Sequence, residues 1–216
     1  MSKSIIIIGA GPGIGLEVAR RFGKEGYEIG LISRTEEKLK KYQKELESEG
    51  YKVAIAAADA GKRKQLRKAI KEVQSHLATT NVLHYNAVAF SQNPLLSTKY
   101  NDIINDLKVG VFNAVESIKS VLPALKDSKG TVLLTGGGFA DYPSAEFGTI
   151  SLSKSSIRHI SKQLNEALNN DNVFVGSLQI NGMVKSHKED EKYNPVAIAN
   201  AFWALSQERD TPNKVY

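Results

Sequence analysis

Along the chain, short apolar runs alternate with stretches whose apolar positions recur every three or four residues. Unbroken runs of this length, rich in isoleucine and valine, read as buried strands. They predict strands at 4–8, 27–32, 52–57, 82–86, 131–135, 173–180 and a short one at 214–216. Between them the helical stripes are regular. Ile14, Val18 and Phe22 are four apart, Leu39, Tyr42 and Leu46 follow at three and four, and Leu66, Ile70, Val73 and Leu77 repeat the spacing. Ile157, Ile160, Leu164 and Leu168 form a further stripe, and each stripe predicts one helix face packed on a sheet. Strands apolar on both sides, each followed by an amphipathic helix, predict an α/β fold: a doubly wound parallel sheet of about seven strands with helices on both faces. At 216 residues, with no repeat, low-complexity tract or flexible linker, the chain is expected to form a single domain spanning residues 1–216.

Charge adds one question. The formal net charge is +6, and its densest contribution is KRKQLRKAIK at residues 62–71. Because Leu66 and Ile70 lie on the helical stripe, the lysines and arginines fall on the solvated side of an amphipathic helix. No aromatic residues are interleaved as stacking platforms for bases, so no nucleic-acid partner is expected. There is no cysteine, and the histidines (His76, His84, His159 and His187) are far apart, so no metal site is expected. The opening apolar run is too short for a signal peptide, and no later run reaches the length of about 18 residues that spans a bilayer. The expectation is a cytoplasmic protein without a membrane partner. The long polar stretch KSHKEDEKYN at residues 185–194 reads as a loop, and Pro195 is placed to open a last helix.

Candidate chemistry concentrates at GAGPGIG, residues 9–15. Gly9, Gly11, Gly13 and Gly15, with Pro12 and Ile14 between them, lie where the first strand turns into the first helix. Glycine there lets a phosphate approach the backbone, and the helix N-terminus behind it offers unpaired N–H groups and a partial positive charge. A glycine string is weak evidence alone, but here it stands in the strand-to-helix context that a dinucleotide fingerprint needs. The second strand ends at Ser33 and Arg34. An acid at that point would hold a ribose 2′-hydroxyl and repel a 2′-phosphate, whereas a hydroxyl followed by a guanidinium would receive the phosphate. The expected cofactor is therefore NADP(H).

With these motifs the chain resembles the short-chain dehydrogenase/reductase family over nearly its whole length, although Ile8 replaces that family's usual threonine. The resemblance implies a Rossmann-fold domain that binds NADP(H) and acts on a small carbonyl or alcohol substrate, commonly as a dimer or tetramer. It also implies roles for particular residues. Asp59 and Ala60, in AADA at 57–60, would face the adenine. Asn86 and Ala87, in YNAV at 85–88, match the centre of the family's Asn-Asn-Ala-Gly motif, with Tyr85 and Val88 at its ends. Gly182 and Val184, in INGMV at 180–184, would meet the nicotinamide amide, with Asn181 in place of a proline. Lys154 matches the catalytic lysine, which in the family lowers the pKa of a tyrosine and holds the ribose.

The remaining catalytic positions depart from the family. Four residues before Lys154, where the proton-donating tyrosine belongs, stands Ile150; the serine position falls on Gly137 or Gly138; the helical asparagine position is Leu107. Tyr142 lies twelve residues before Lys154, too far to share a helical face with it, and could reach the site only from a loop. Two readings follow: an atypical NADP(H)-dependent oxidoreductase, or a non-catalytic NADP(H)-binding protein with a regulatory or interaction role. The charged loop at 185–194 suggests a shallow site, polar or facing a partner, over an enclosed apolar pocket.

Overall fold

A computed structural model describes residues 2–185 and 190–216. Seven strands form one sheet: β1 (Lys3–Ile8), β2 (Tyr27–Ser33), β3 (Val53–Ala57), β4 (Thr80–Tyr85), β5 (Thr131–Thr135), β6 (Phe174–Gln179) and β7 (Asn213–Val215). Their order is β3-β2-β1-β4-β5-β6-β7, and every pairing is parallel. The helices are α1 (Ile14–Gly23), α2 (Glu36–Ser48), α3 (Arg63–His76), α4 (Tyr100–Leu107), α5 (Asn113–Ser128), α6 (Gly148–Ala167) and α7 (Pro195–Glu208).

The alternation of side chains along a strand divides the core into two layers. Ile5 and Ile7 of β1 pack with Phe22 of α1, Leu39 and Leu46 of α2, and Phe202 of α7. Ile6 and Ile8 pack on the other face with Leu66 and Ile70 of α3, Ile118 and Val121 of α5, and Ile157 of α6. All four isoleucines are buried, each stabilising the fold by roughly 1.5–3 kcal/mol relative to exposure. The predicted strands and stripes are thus present, with ends displaced by one or two residues. The largest displacement is at β4, which runs from Thr80 to Tyr85; Asn86 makes a further bond to β1, its N–H donating to the Ile8 carbonyl (2.8 Å), and its side chain turns to Gly9.

Two local features set the strand ends. Gly9 has φ +87°, and a Cβ there would lie 2.5 Å from the Ala87 nitrogen. The turn after β1 therefore depends on glycine for both its left-handed backbone and its close approach to β4. At the other side of the sheet, α4 and α5 are continuous through a π-helical turn, Lys108–Phe112. There Gly110 lies so close to α6 that a Cβ would overlap the Ser153 hydroxyl. The Tyr85 hydroxyl donates to the Val109 carbonyl (2.6 Å), and the Asn113 amide donates to the Ala60 carbonyl (2.6 Å), which anchors this long helix to the ends of β3 and β4. The predicted start of the last helix is also observed: Pro195 is its first residue, and the Asn194 side chain accepts from the N–H groups of Val196 and Ala197.

The glycines of the turn separate by substitution. Gly9→Ala should lose more than about 2 kcal/mol of unfolding free energy, combining left-handed strain with steric overlap. Gly11→Ala, whose Cβ would meet no atom within 4 Å, should stay within about 1 kcal/mol of the parent protein. Chemical denaturation of the two variants compares them directly.

Candidate functional site

Strands β1 and β4 are neighbours whose crossovers run to opposite sides, so the sheet order reverses between them and a crevice opens beyond their C-terminal ends. A cleft of about 280 Å³ occupies that place. It is lined by Gly9, Ser33, Arg34, Asp59, Ala60, Asn86 and Ala87, seven of the residues singled out from the sequence, together with Val88, Ala89 and Val109. Arg34 makes no ion pair among the described residues. The Asp59 carboxylate accepts from the Gly61 N–H (2.8 Å), which fixes the loop that forms the far wall.

Gly11, Pro12, Gly13, Ile14 and Gly15 form the turn above this cleft and lead into α1. Their glycines do different work. A Cβ on Gly15 would come within 3.1 Å of the Gly9 carbonyl oxygen, so Gly15 serves close packing, while Gly11 and Gly13 face open space. Helix α1 starts without a side-chain cap; the Gly13 and Leu16 N–H groups donate to the Gly11 carbonyl (2.8 and 3.1 Å), which leaves those of Ile14 and Gly15 available to an incoming anion. Gly182 and Val184 stand past the end of β6, beyond β5 from the cleft. Gly182 lies close against the Tyr193 ring, and Val184 is exposed.

Asn86 is held from both ends. Its amide donates to the Gly9 carbonyl (3.0 Å) and its oxygen accepts from the Thr135 hydroxyl (2.9 Å). Thr135, the last residue of β5, also offers its backbone carbonyl to the Lys154 ammonium (2.7 Å). Lys154 keeps some accessible surface, but protein atoms crowd its ammonium, and this desolvation lowers its pKa to about 8. The lysine stem runs along the glycine string: a Cβ on Gly137 would lie 3.4 Å from Lys154 Cε. On the adjoining side, Gly138 faces Asn181, whose buried Oδ1 has no partner among the described residues. Ile150 is buried within α6, while Tyr142 is 74 % exposed on its loop.

The start of α6 is tied to the loop after β4 by a polar cluster that spacing does not reveal. The Asp106 carboxylate accepts from Ser91 (3.1 Å), Asn93 (2.6 Å) and the Thr149 hydroxyl (2.7 Å). Above it the rings of Phe90, Phe147 and Phe139 follow one another with centroids 5.6 Å apart. Phe90 is 71 % exposed, and Met183 and Val184 are exposed at the end of β6. The rim is thus more apolar than the charged 185–194 stretch suggests. Part of that stretch, residues 186–189 with His187, lies outside the described residues; Lys185 donates from its backbone to the Tyr193 carbonyl (2.8 Å).

Comparison with known proteins agrees with this architecture. A family model described as short chain dehydrogenase matches residues 3–194. The 3-oxoacyl-[acyl-carrier-protein] reductase FabG of Staphylococcus epidermidis is 26 % identical over 175 residues, covering 76 % of this chain and 71 % of that protein. Among solved structures, an alcohol dehydrogenase from Thermococcus sibiricus complexed with 5-hydroxy-NADP superposes with a TM-score of 0.85 at 22 % identity, over 100 % of this chain and 95 % of that one. An NADPH-bound short chain oxidoreductase from Pseudomonas aeruginosa PAO1, described as containing an atypical catalytic center, gives 0.88 at 16 % identity, over 99 % and 94 %. These two share the fold.

The crowding of Lys154 has a spectroscopic consequence. In a titration of the protein with isotope-labelled lysine side chains, one resonance should move with a midpoint near pH 8, well below the ordinary lysine value of about 10.4, and it should vanish in Lys154→Met. A Lys154 midpoint above 10 would show that its ammonium is solvated.

Proposed function

The chain belongs to the short chain dehydrogenase family, and from that premise we propose that it is an atypical NADP(H)-dependent oxidoreductase acting on a small carbonyl or alcohol compound. The observation that carries the cofactor reading is the meeting of Ser33 and Arg34 with Gly9, Asp59 and Asn86 around one crevice. The residues fit the group. Gly11 and Gly13 leave the space that a pyrophosphate needs, the uncapped start of α1 faces it with N–H donors, and Arg34 has no carboxylate partner among the described residues to compete with a 2′-phosphate. On the nicotinamide side, Asn181 Oδ1 is a buried acceptor without a partner among the described residues, suited to an amide N–H.

Bound in this crevice, the nicotinamide would supply or accept the hydride. The chain's own contribution is position and charge. Thr135 fixes the Lys154 ammonium through its carbonyl, leaving the other N–H donors of Lys154 for a ribose hydroxyl or a substrate oxygen. Ile150 has no proton to donate, and Gly137 and Gly138 offer no hydroxyl to orient a carbonyl. Loss of a positioned general acid costs about 10²–10⁴ in rate, whereas holding two reactants in place contributes roughly 7–11 kcal/mol. Turnover is therefore expected to be slow on simple ketones, with water or the substrate providing the proton.

Ile150 and the bare glycine string also favour a second reading, a non-catalytic NADP(H)-binding protein whose contacts change with cofactor occupancy. Robust turnover of any carbonyl or alcohol excludes it, and binding without turnover across a broad panel supports it. Both readings place NADP(H) in the same crevice.

Titration with NADPH and NADH, followed by cofactor fluorescence, tests that shared premise. A charge-assisted hydrogen bond contributes roughly 1.5–3 kcal/mol, so Arg34→Ala should weaken NADPH binding by about ten- to a hundredfold and leave NADH within about twofold. Equal loss for both cofactors would place the 2′-phosphate elsewhere, and binding of neither by the parent protein would overturn both readings.

A further inference from the structure

His84 is the last residue but one of β4 and has no accessible surface, and no role in the cofactor reading depends on it. The register brings it to a joint. Val82, His84 and Asn86 alternate onto one face, and His84 is level with Leu133 of β5, so two residues further along Asn86 and Thr135 stand side by side. His84 Nε2 is 3.0 Å from the Thr135 hydroxyl. Its ring packs against Phe202 of α7 (4.6 Å between centroids), and Nδ1 is buried without a partner among the described residues.

The direction of each bond in this chain is forced from its far end. The Gly9 carbonyl can only accept, so the Asn86 NH₂ must point to it and the Asn86 oxygen must point to Thr135. That oxygen also only accepts, so the single hydroxyl proton of Thr135 is committed to Asn86. Thr135 can then only accept from His84, which requires a proton on Nε2 and leaves Nδ1 bare. A bare ring nitrogen is the form that an unpartnered, apolar position tolerates best, since a buried N–H without an acceptor is the costlier state.

We propose that His84, as the Nε2–H tautomer, is a positioning residue for the cofactor site: it polarises and orients Thr135, which fixes the Asn86 amide and through it the Gly9 carbonyl at the mouth of the crevice. The proposal rests on the NADP(H) reading for its functional meaning. Thr135 also holds Lys154 through its carbonyl, so one buried imidazole stands behind both the glycine turn and the lysine. Burial holds the His84 pKa down to about 3, and the imidazole accordingly stays neutral across the working range of the protein.

Two measurements test this, the first without cofactor. In long-range ¹H–¹⁵N spectra of the cofactor-free protein, assigned with His84→Gln, His84 should show a protonated Nε2 and an unprotonated Nδ1 from pH 6 to 8. A proton on Nδ1, or a titration within that range, overturns the proposal. The second is the NADPH affinity of paired variants. His84→Leu and Thr135→Val should each weaken binding by about tenfold, while His84→Gln, which keeps a side-chain N–H, and Thr135→Ser should stay within about threefold. Should the histidine variants not fold, the threonine pair decides. Equal loss in the conservative and disruptive members of a pair, or no loss in either, reduces the chain of bonds to core packing and overturns the positioning role. A parent protein that binds no NADPH instead overturns the function it would serve, whatever the tautomer.

Discussion

The approach of the Gly9 backbone to Asn86 and Ala87 is the constraint from which the rest of the site follows. Two parallel strands that part company at their C-terminal ends need a point where one chain leaves without pushing the other aside. Here that point has a left-handed φ of +87° and no room for a side chain. The Gly9 and Ala10 N–H groups both reach the Ile32 carbonyl (2.9 and 3.1 Å), and the Asn86 N–H reaches Ile8, so the ends of β2, β1 and β4 are bound together around one glycine. The crevice, the free start of α1 and the placing of Arg34 beside them all depend on that tight exit.

Much of this was legible because it is local or periodic. The strands are apolar runs, the helices repeat at three and four, and a parallel doubly wound sheet is what their alternation permits. Ser33, Arg34, Asp59 and Asn86 could be found because each lies at or just past the end of a strand, and strand ends converge in such a sheet. The side-chain bonds were not legible. Nothing in VLHYN tells that His84 meets Thr135, 51 residues away, or that the Tyr85 hydroxyl reaches the π-helical turn at Val109. These are cross-strand and cross-layer contacts, fixed only once the register is known. The polar cluster on Asp106 is of the same kind, since its members come from the loop after β4, from α4 and from the first turn of α6.

The glycine string after β5 also changes meaning in three dimensions. In the sequence Gly137 or Gly138 stands where the family resemblance implies a serine. In the structure the space beside Gly137 is taken by the stem of Lys154, which runs past the glycine to the Thr135 carbonyl. The lysine is crowded by protein and held by a single backbone acceptor, with an isoleucine one turn before it on α6. On the proposed reading, the residues suited to hold a cofactor outnumber those able to move a proton, for which Lys154 offers one amine.

The π-helical turn between α4 and α5 has a bearing on how this chain tolerates change in length. An α-helix advances by about 100° per residue, and a π turn accommodates one residue more than the α turn it replaces. Removing one residue between 108 and 112 would therefore close the wide turn to an α turn and leave α4 in phase, with Asp106 still facing Asn93 and Thr149. Removing one from the regular turns of α5 would instead rotate α4 by about 100° about its own axis and carry Asp106 away from those partners. The wide turn is thus the place on this long helix where the chain can change length by one without disturbing the rim of the crevice.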